Sequence, residues 1–86
     1  MVNYYYFERT DPKTGRVFWL AWSTENSSEI GLSYVTDYYL ANQLAVDLSK
    51  VWPTRVEVRN EQQVIIGSLF YKDGVHVSSV NAEKAA

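Results

Sequence analysis

The sequence predicts an α+β fold, an antiparallel β-sheet packed against a single α-helix in the order β-β-(β)-α-β-β-β. Three observations predict it. Short runs rich in aromatic and β-branched residues recur along the chain, separated by turn residues. Only one stretch, around residues 40–52, has the three- and four-residue spacing of a helix. The connections on both sides of that stretch are short enough for hairpins, which favours strands paired with their neighbours and a helix on one face.

The first strand is expected over residues 2–8 (VNYYYFE), aromatic throughout and free of helix breakers. Asp11-Pro12-Lys13-Thr14-Gly15 follows as a turn. Proline presets one dihedral, the aspartate side chain bonds back to the backbone, and glycine accepts a positive φ. Residues 16–23 (RVFWLAWS) return as a second strand and close a hairpin, with Thr10 opposite Arg16 across a five-residue loop. Residues 24–29 (TENSSE) read as a loop and residues 30–34 as a short third strand.

Thr36 or Asp37 is placed to cap the helix. Leu40, Ala41, Leu44, Ala45, Leu48 and Trp52 then form one apolar stripe, and Pro53 stops the helix by pushing its predecessor out of the helical region. Val56 and Val58 alternate with Arg55, Glu57 and Arg59, the mark of a strand with one buried face. A polar turn at 60–63 leads to an apolar strand over 64–71, where Gly67 signals a bulge or a crowded contact. Asp73-Gly74 is a two-residue hairpin turn, and residues 75–80 form a last strand at the sheet edge. One domain is expected over residues 1–80, with 81–86 as a frayed tail.

The 86 residues contain no cysteine, so neither a disulfide nor a cysteine-based zinc site is available. Burial must carry stability, and a composition that is 47% hydrophobic and 15% aromatic supplies the means. The formal net charge of -2 gives no overall attraction to nucleic acid or membrane surfaces. No run approaches the ~20 apolar residues of a membrane span. No basic segment followed by an apolar one opens the chain, and a cytoplasmic location is the expectation.

Catalytic and metal chemistry find no footing in the sequence. The one histidine, His76, falls on the last strand, where alternation points it to solvent. The ten acidic residues are scattered singly, and the four glycines form no phosphate loop. The expectation is therefore a protein that is no enzyme and holds no metal or cofactor.

What stands out is an excess of rings. Both parities of the first hairpin carry aromatic residues, while one helix can cover only one face of the sheet. With Thr10 opposite Arg16, one face receives Tyr4, Tyr6, Phe18, Leu20 and Trp22, and the other Tyr5, Phe7, Val17, Trp19 and Ala21. An uncovered face of large apolar side chains marks a docking surface, and Tyr and Trp are enriched at interface hot spots. The function expected is a small interaction module that binds a protein partner or a second copy of itself, with Tyr5, Phe7, Trp19 and Trp22 as contact residues. A host-takeover or anti-defence protein of a phage is the biological setting such a module would suit.

The run Tyr4-Tyr5-Tyr6-Phe7-Glu8-Arg9-Thr10-Asp11-Pro12-Lys13-Thr14-Gly15-Arg16 resembles the start of the arm-DNA-binding domain of phage tyrosine-recombinase integrases. That domain is a three-stranded sheet backed by one helix, with tyrosines in its first hairpin followed by a D-P-x-T-G-K/R turn. The resemblance implies a sheet-plus-helix unit over residues 1–52 and phosphate contacts at Arg9, Lys13 and Arg16. The alternative function is accordingly a nucleic-acid-binding module that uses the first hairpin. Beyond residue 16 the chain departs from the pattern: it is acidic overall, has the 24–29 loop, continues with three more strands and carries no recombinase catalytic domain.

Overall fold

A computed structural model describes residues 2–19 and 34–81. The second half of the expected second strand, the 24–29 loop, residues 30–33 of the expected third strand and the tail from residue 82 lie outside the described residues. The described elements are β1 (Tyr4–Thr10), β2 (Val17–Trp19), β3 (Tyr34–Val35), α1 (Tyr38–Ser49), β4 (Thr54–Arg59), β5 (Ile65–Lys72) and β6 (Val75–Asn81). All described strand pairs are antiparallel and join one six-stranded sheet in the order β2-β1-β4-β5-β6. β3 pairs with β1 on the same outer edge as β2. The α+β class and element order are those the sequence predicts.

Local chemistry explains each turn. Asp11 Oδ1 accepts from the Lys13 N–H at 2.8 Å, Gly15 takes φ +74°, and the Asp11 N–H donates to the Arg16 carbonyl at 2.8 Å. That last bond lengthens the loop by one residue: Thr10 faces Val17, with Arg9 opposite Phe18 and Glu8 opposite Trp19. Asn60 Oδ1 accepts from both the Gln62 and Val64 N–H groups, holding the β4–β5 turn. Asp73 and Gly74 both take positive φ, the type I′ geometry whose twist matches a two-residue hairpin.

Asp37 caps α1, its carboxylate accepting the Tyr39 N–H at 3.0 Å. At the other end, buried Ser49 ties the helix to the β5–β6 turn. Its carbonyl accepts the Asp73 N–H and its hydroxyl the Gly74 N–H, both at 3.0 Å. Ala41, Leu44, Ala45 and Leu48 face the sheet as expected, whereas Leu40 is exposed. The core beneath the helix is Tyr5, Phe7, Ala41, Ala45, Val56 and Tyr71. Two alanines let the helix approach the sheet closely, and the rings of β1 and β5 fill the space between. Gly67 meets both expectations: the β4–β5 register shifts beside it, and a Cβ there would lie 2.9 Å from the Val80 carbonyl oxygen.

Candidate functional site

The register decides which side chains share a face. Tyr5, Phe7 and Arg9 alternate toward the helix together with Val56, Val58, Leu69 and Phe18. Tyr4, Tyr6, Glu8, Trp19 and Val17 alternate to the other side. This corrects the expected split of the hairpin. With the loop one residue longer, Phe18 joins the Tyr5 face and Trp19 the Tyr6 face. Tyr5 and Phe7, expected at a docking surface, are core residues 7% and 0% exposed. Trp19 stays on the face without the helix, and Trp22 lies outside the described residues.

The helix-free face is built around a charged ladder. Glu8 on β1 pairs with Arg55 on β4 at 3.4 Å. Arg55 also reaches Glu57 at 3.3 Å, and Arg59 closes on Glu57 with its Nε at 2.6 Å. Glu57 is only 4% exposed, so two guanidinium groups and the flanking strands largely replace its water. Alternation along β4 puts all three side chains on one side, and β1 supplies Glu8 directly opposite Arg55.

Rings frame the ladder. The Arg59 guanidinium sits 4.4 Å from the centroid of Tyr6, whose hydroxyl donates to Gln63 Oε1 at 2.9 Å. Tyr34 on β3 packs on both Tyr4 and Tyr6, with centroids 4.9 and 5.6 Å away. Toward the other side, an open groove of 350 Å³ runs over Phe70, walled by Glu8, Arg55, Lys72, Val77 and Ser78. Glu8, Arg55, Phe70 and Ser78 form one row across four strands. Tyr34 is 48% and Phe70 36% exposed, and Val17 is exposed beside half-buried Trp19. The sequence reading marked Arg55, Glu57 and Arg59 as a polar strand face but missed that Glu57 is buried there. It missed Tyr34 and Phe70 as well, because their place depends on the pairing register.

The residues expected to contact nucleic acid lie elsewhere. Arg9 projects on the helix side at the end of β1, its guanidinium 5.2 Å from the centroid of Trp52. Trp52 stacks on Phe18 at 6.0 Å with planes 25° apart, and Arg16 lies 5.2 Å from Phe18. The order Arg9, Trp52, Phe18, Arg16 thus alternates cation and ring. Among the described residues Arg9, Lys13 and Arg16 enter no ion pair, and the buried Nε of Arg9 has no hydrogen-bond partner.

His76 is exposed, its Nε2 is 2.9 Å from Ser79 Oγ and its ring lies against Tyr71. Among the described residues no cluster of His, Asp and Glu could hold a metal ion, and no helix is long and apolar enough to cross a membrane. The Tyr71 phenol has a raised pKa. Burial raises it and the Tyr38 phenol adds a smaller push, while its hydroxyl donates to Asn42 Oδ1 at 2.7 Å. No family model matches the chain, and no curated protein and no solved structure matches it.

Proposed function

We propose that the chain is an interaction module that acts by binding, as an inhibitor or adaptor, and that it docks a protein partner through the helix-free face. The observation that supports this reading is the composition and layout of that face. Exposed rings and valines surround a pre-organised arginine–glutamate ladder, with Tyr34, Trp19 and Phe70 spread around it. Tyr, Trp and Arg are the residue types that carry most binding energy at protein interfaces, where rigid rings give large contact area for little lost entropy. The ladder holds both arginines in place before any partner arrives, which removes part of the ordering cost of association. Its charges are internally balanced, so the face suits a protein surface better than a polyanion.

The test is capture of a partner from cell extract on immobilised chain, with Trp19→Ser and Phe70→Ser compared with wild type. Loss of a wild-type partner with both variants, each still folded by circular dichroism, supports the reading. Retention of that partner by both variants overturns it.

A second reading has its own support. Among the described residues Arg9, Lys13 and Arg16 enter no ion pair, and Arg9 and Arg16 alternate with Trp52 and exposed Phe18, the combination that grips phosphates and stacks bases. On that reading the first hairpin and the helix end bind nucleic acid, in keeping with the resemblance of residues 4–16 to integrase arm domains. Binding that weakens steeply with added salt, and weakens further in Arg9→Gln and Arg16→Gln, would support it. No retention on single-stranded or duplex nucleic acid at low salt would remove it.

A further inference from the structure

The two edges of the sheet are finished differently. On one side the outer edge of β1 is shared by β2 and β3, of which three and two residues are described. On the other side β6 runs for seven residues and is exposed along its whole length. No described strand lies beyond it. An antiparallel edge strand presents a row of outward N–H and C=O groups ready to pair with another chain. Soluble proteins ordinarily blunt such an edge with lysine, proline or strong twist. β6 carries no lysine, arginine, aspartate, glutamate or proline, whereas β1, β4 and β5 all carry formal charge. Its valines stand open, Val75 at 60%, Val77 at 63% and Val80 at 54% exposure.

We propose that the outer edge of β6 over residues 75–80 pairs antiparallel with the β6 edge of a second copy of this chain, giving one continuous sheet about a two-fold axis. The absence of charge is what selects the second copy. A two-fold contact sets each residue near its own counterpart, so any lysine or glutamate close to the axis would meet a like charge. Val-His-Val-Ser-Ser-Val holds no lysine, arginine, aspartate or glutamate to set against its own copy.

The register shift at Val77 bends the start of the strand and leaves the run from Ser78 regular. An axis beside Ser79 sets that small hydroxyl side chain against its own copy and places Ser78 opposite Val80 of the second copy. Ser78 and Val80 lie on the helix-free side with Phe70, so the valine and phenylalanine of each chain close one apolar patch across the axis. An axis perpendicular to the sheet leaves both helices on one side and joins the two helix-free faces into a single surface. The strand pairing uses the edge and takes only Ser78, Val80 and Phe70 from that face, so Trp19→Ser separates it from the function proposed above.

The experiment is sedimentation velocity on the full chain over a wide concentration range, with Val80→Lys, Ser79→Lys and Trp19→Ser alongside. Wild type is expected to reach twice the 9.9 kDa of one chain and to stop there. Both lysine variants are expected to dissociate at least ~10-fold more readily, as like charges are forced together, while Trp19→Ser dimerises as wild type does. Amide hydrogen exchange covers the case in which a lysine variant folds poorly: β6 amides of wild type gain protection as concentration rises. A wild-type chain that stays monomeric, a mass that grows without limit, lysine variants that dimerise unchanged, or β6 exchange independent of concentration would each overturn the proposal.

Discussion

β1 and β4 are paired along their length, yet their two sides are built on different physics. Toward the helix, Tyr5, Phe7 and Val56 meet Ala41 and Ala45 in a dry apolar core. Away from it, Tyr6, Glu8, Arg55, Glu57 and Arg59 form a ladder of charge and rings. Both sides contain buried residues. Burial on the first is favoured by removing apolar surface from water. Burial on the second is tolerated only because each desolvated charge finds a partner. A side chain's burial alone therefore does not say whether it belongs to the core. The consecutive tyrosines make the point: Tyr5 lies edge-on to Tyr38 in the core, and Tyr6, equally buried, carries Arg59 and bonds Gln63.

Substitutions can break each side separately. The largest loss is expected for Phe7→Ala, about 3–5 kcal/mol, because a fully buried ring leaves a cavity that two strands and a helix cannot close. Urea unfolding at neutral pH measures it. Glu57→Ala should cost less, about 1–3 kcal/mol. It strands two guanidinium groups, but both remain partly exposed and water can reclaim them. If Arg55→Met with Glu57→Leu restores what Glu57→Ala loses, the ladder's value lies in mutual satisfaction and not in net attraction.

Gly67→Ala is expected to destabilise by about 1–2 kcal/mol, since its methyl would press on a backbone oxygen at 2.9 Å rather than on a yielding side chain.

Tyr71→Phe sharpens the apolar side. Losing the bond to Asn42 should cost about 1 kcal/mol near neutral pH. Burial raises the Tyr71 phenol above its usual 10.0, so the folded chain keeps a proton that the unfolded chain releases. The stability this represents is fully present below pH 10.0 and is lost as pH rises through the folded-state value. Wild type should therefore lose more stability than Tyr71→Phe when unfolding is followed from neutral to strongly alkaline pH. Equal losses in the two proteins would show that Tyr71 has no part in it.

Much of this architecture was legible in the sequence because its signals are local. Asp37 as a cap and Asp73-Gly74 as a turn act within a few residues, and each does in the structure what its chemistry implies, whereas the helix ends at Ser49, short of the expected stop at Pro53. Gly67 was legible for the same reason, as a missing side chain where chains crowd. What could not be read was parity. A five-residue loop and a six-residue loop differ by one residue of register, and the longer loop exchanges the faces that Phe18 and Trp19 take. Nor could the face that the helix covers be read: it is the side of Tyr5 and Phe7, which are core and not contact residues. The burial of Glu57 was hidden too, because the Glu8 beside its arginine partner is 49 residues away in sequence, brought there by strand pairing.

The account turns on Trp19 and Phe7 serving opposite sides of one strand pair. Urea titration of Trp19→Ser beside Phe7→Ala tests this most directly. The prediction is a loss of no more than about 1 kcal/mol for Trp19→Ser, as for a substitution outside the core, against the several expected for Phe7→Ala. Comparable losses would make Trp19 a core residue and contradict a docking role for the face that carries it.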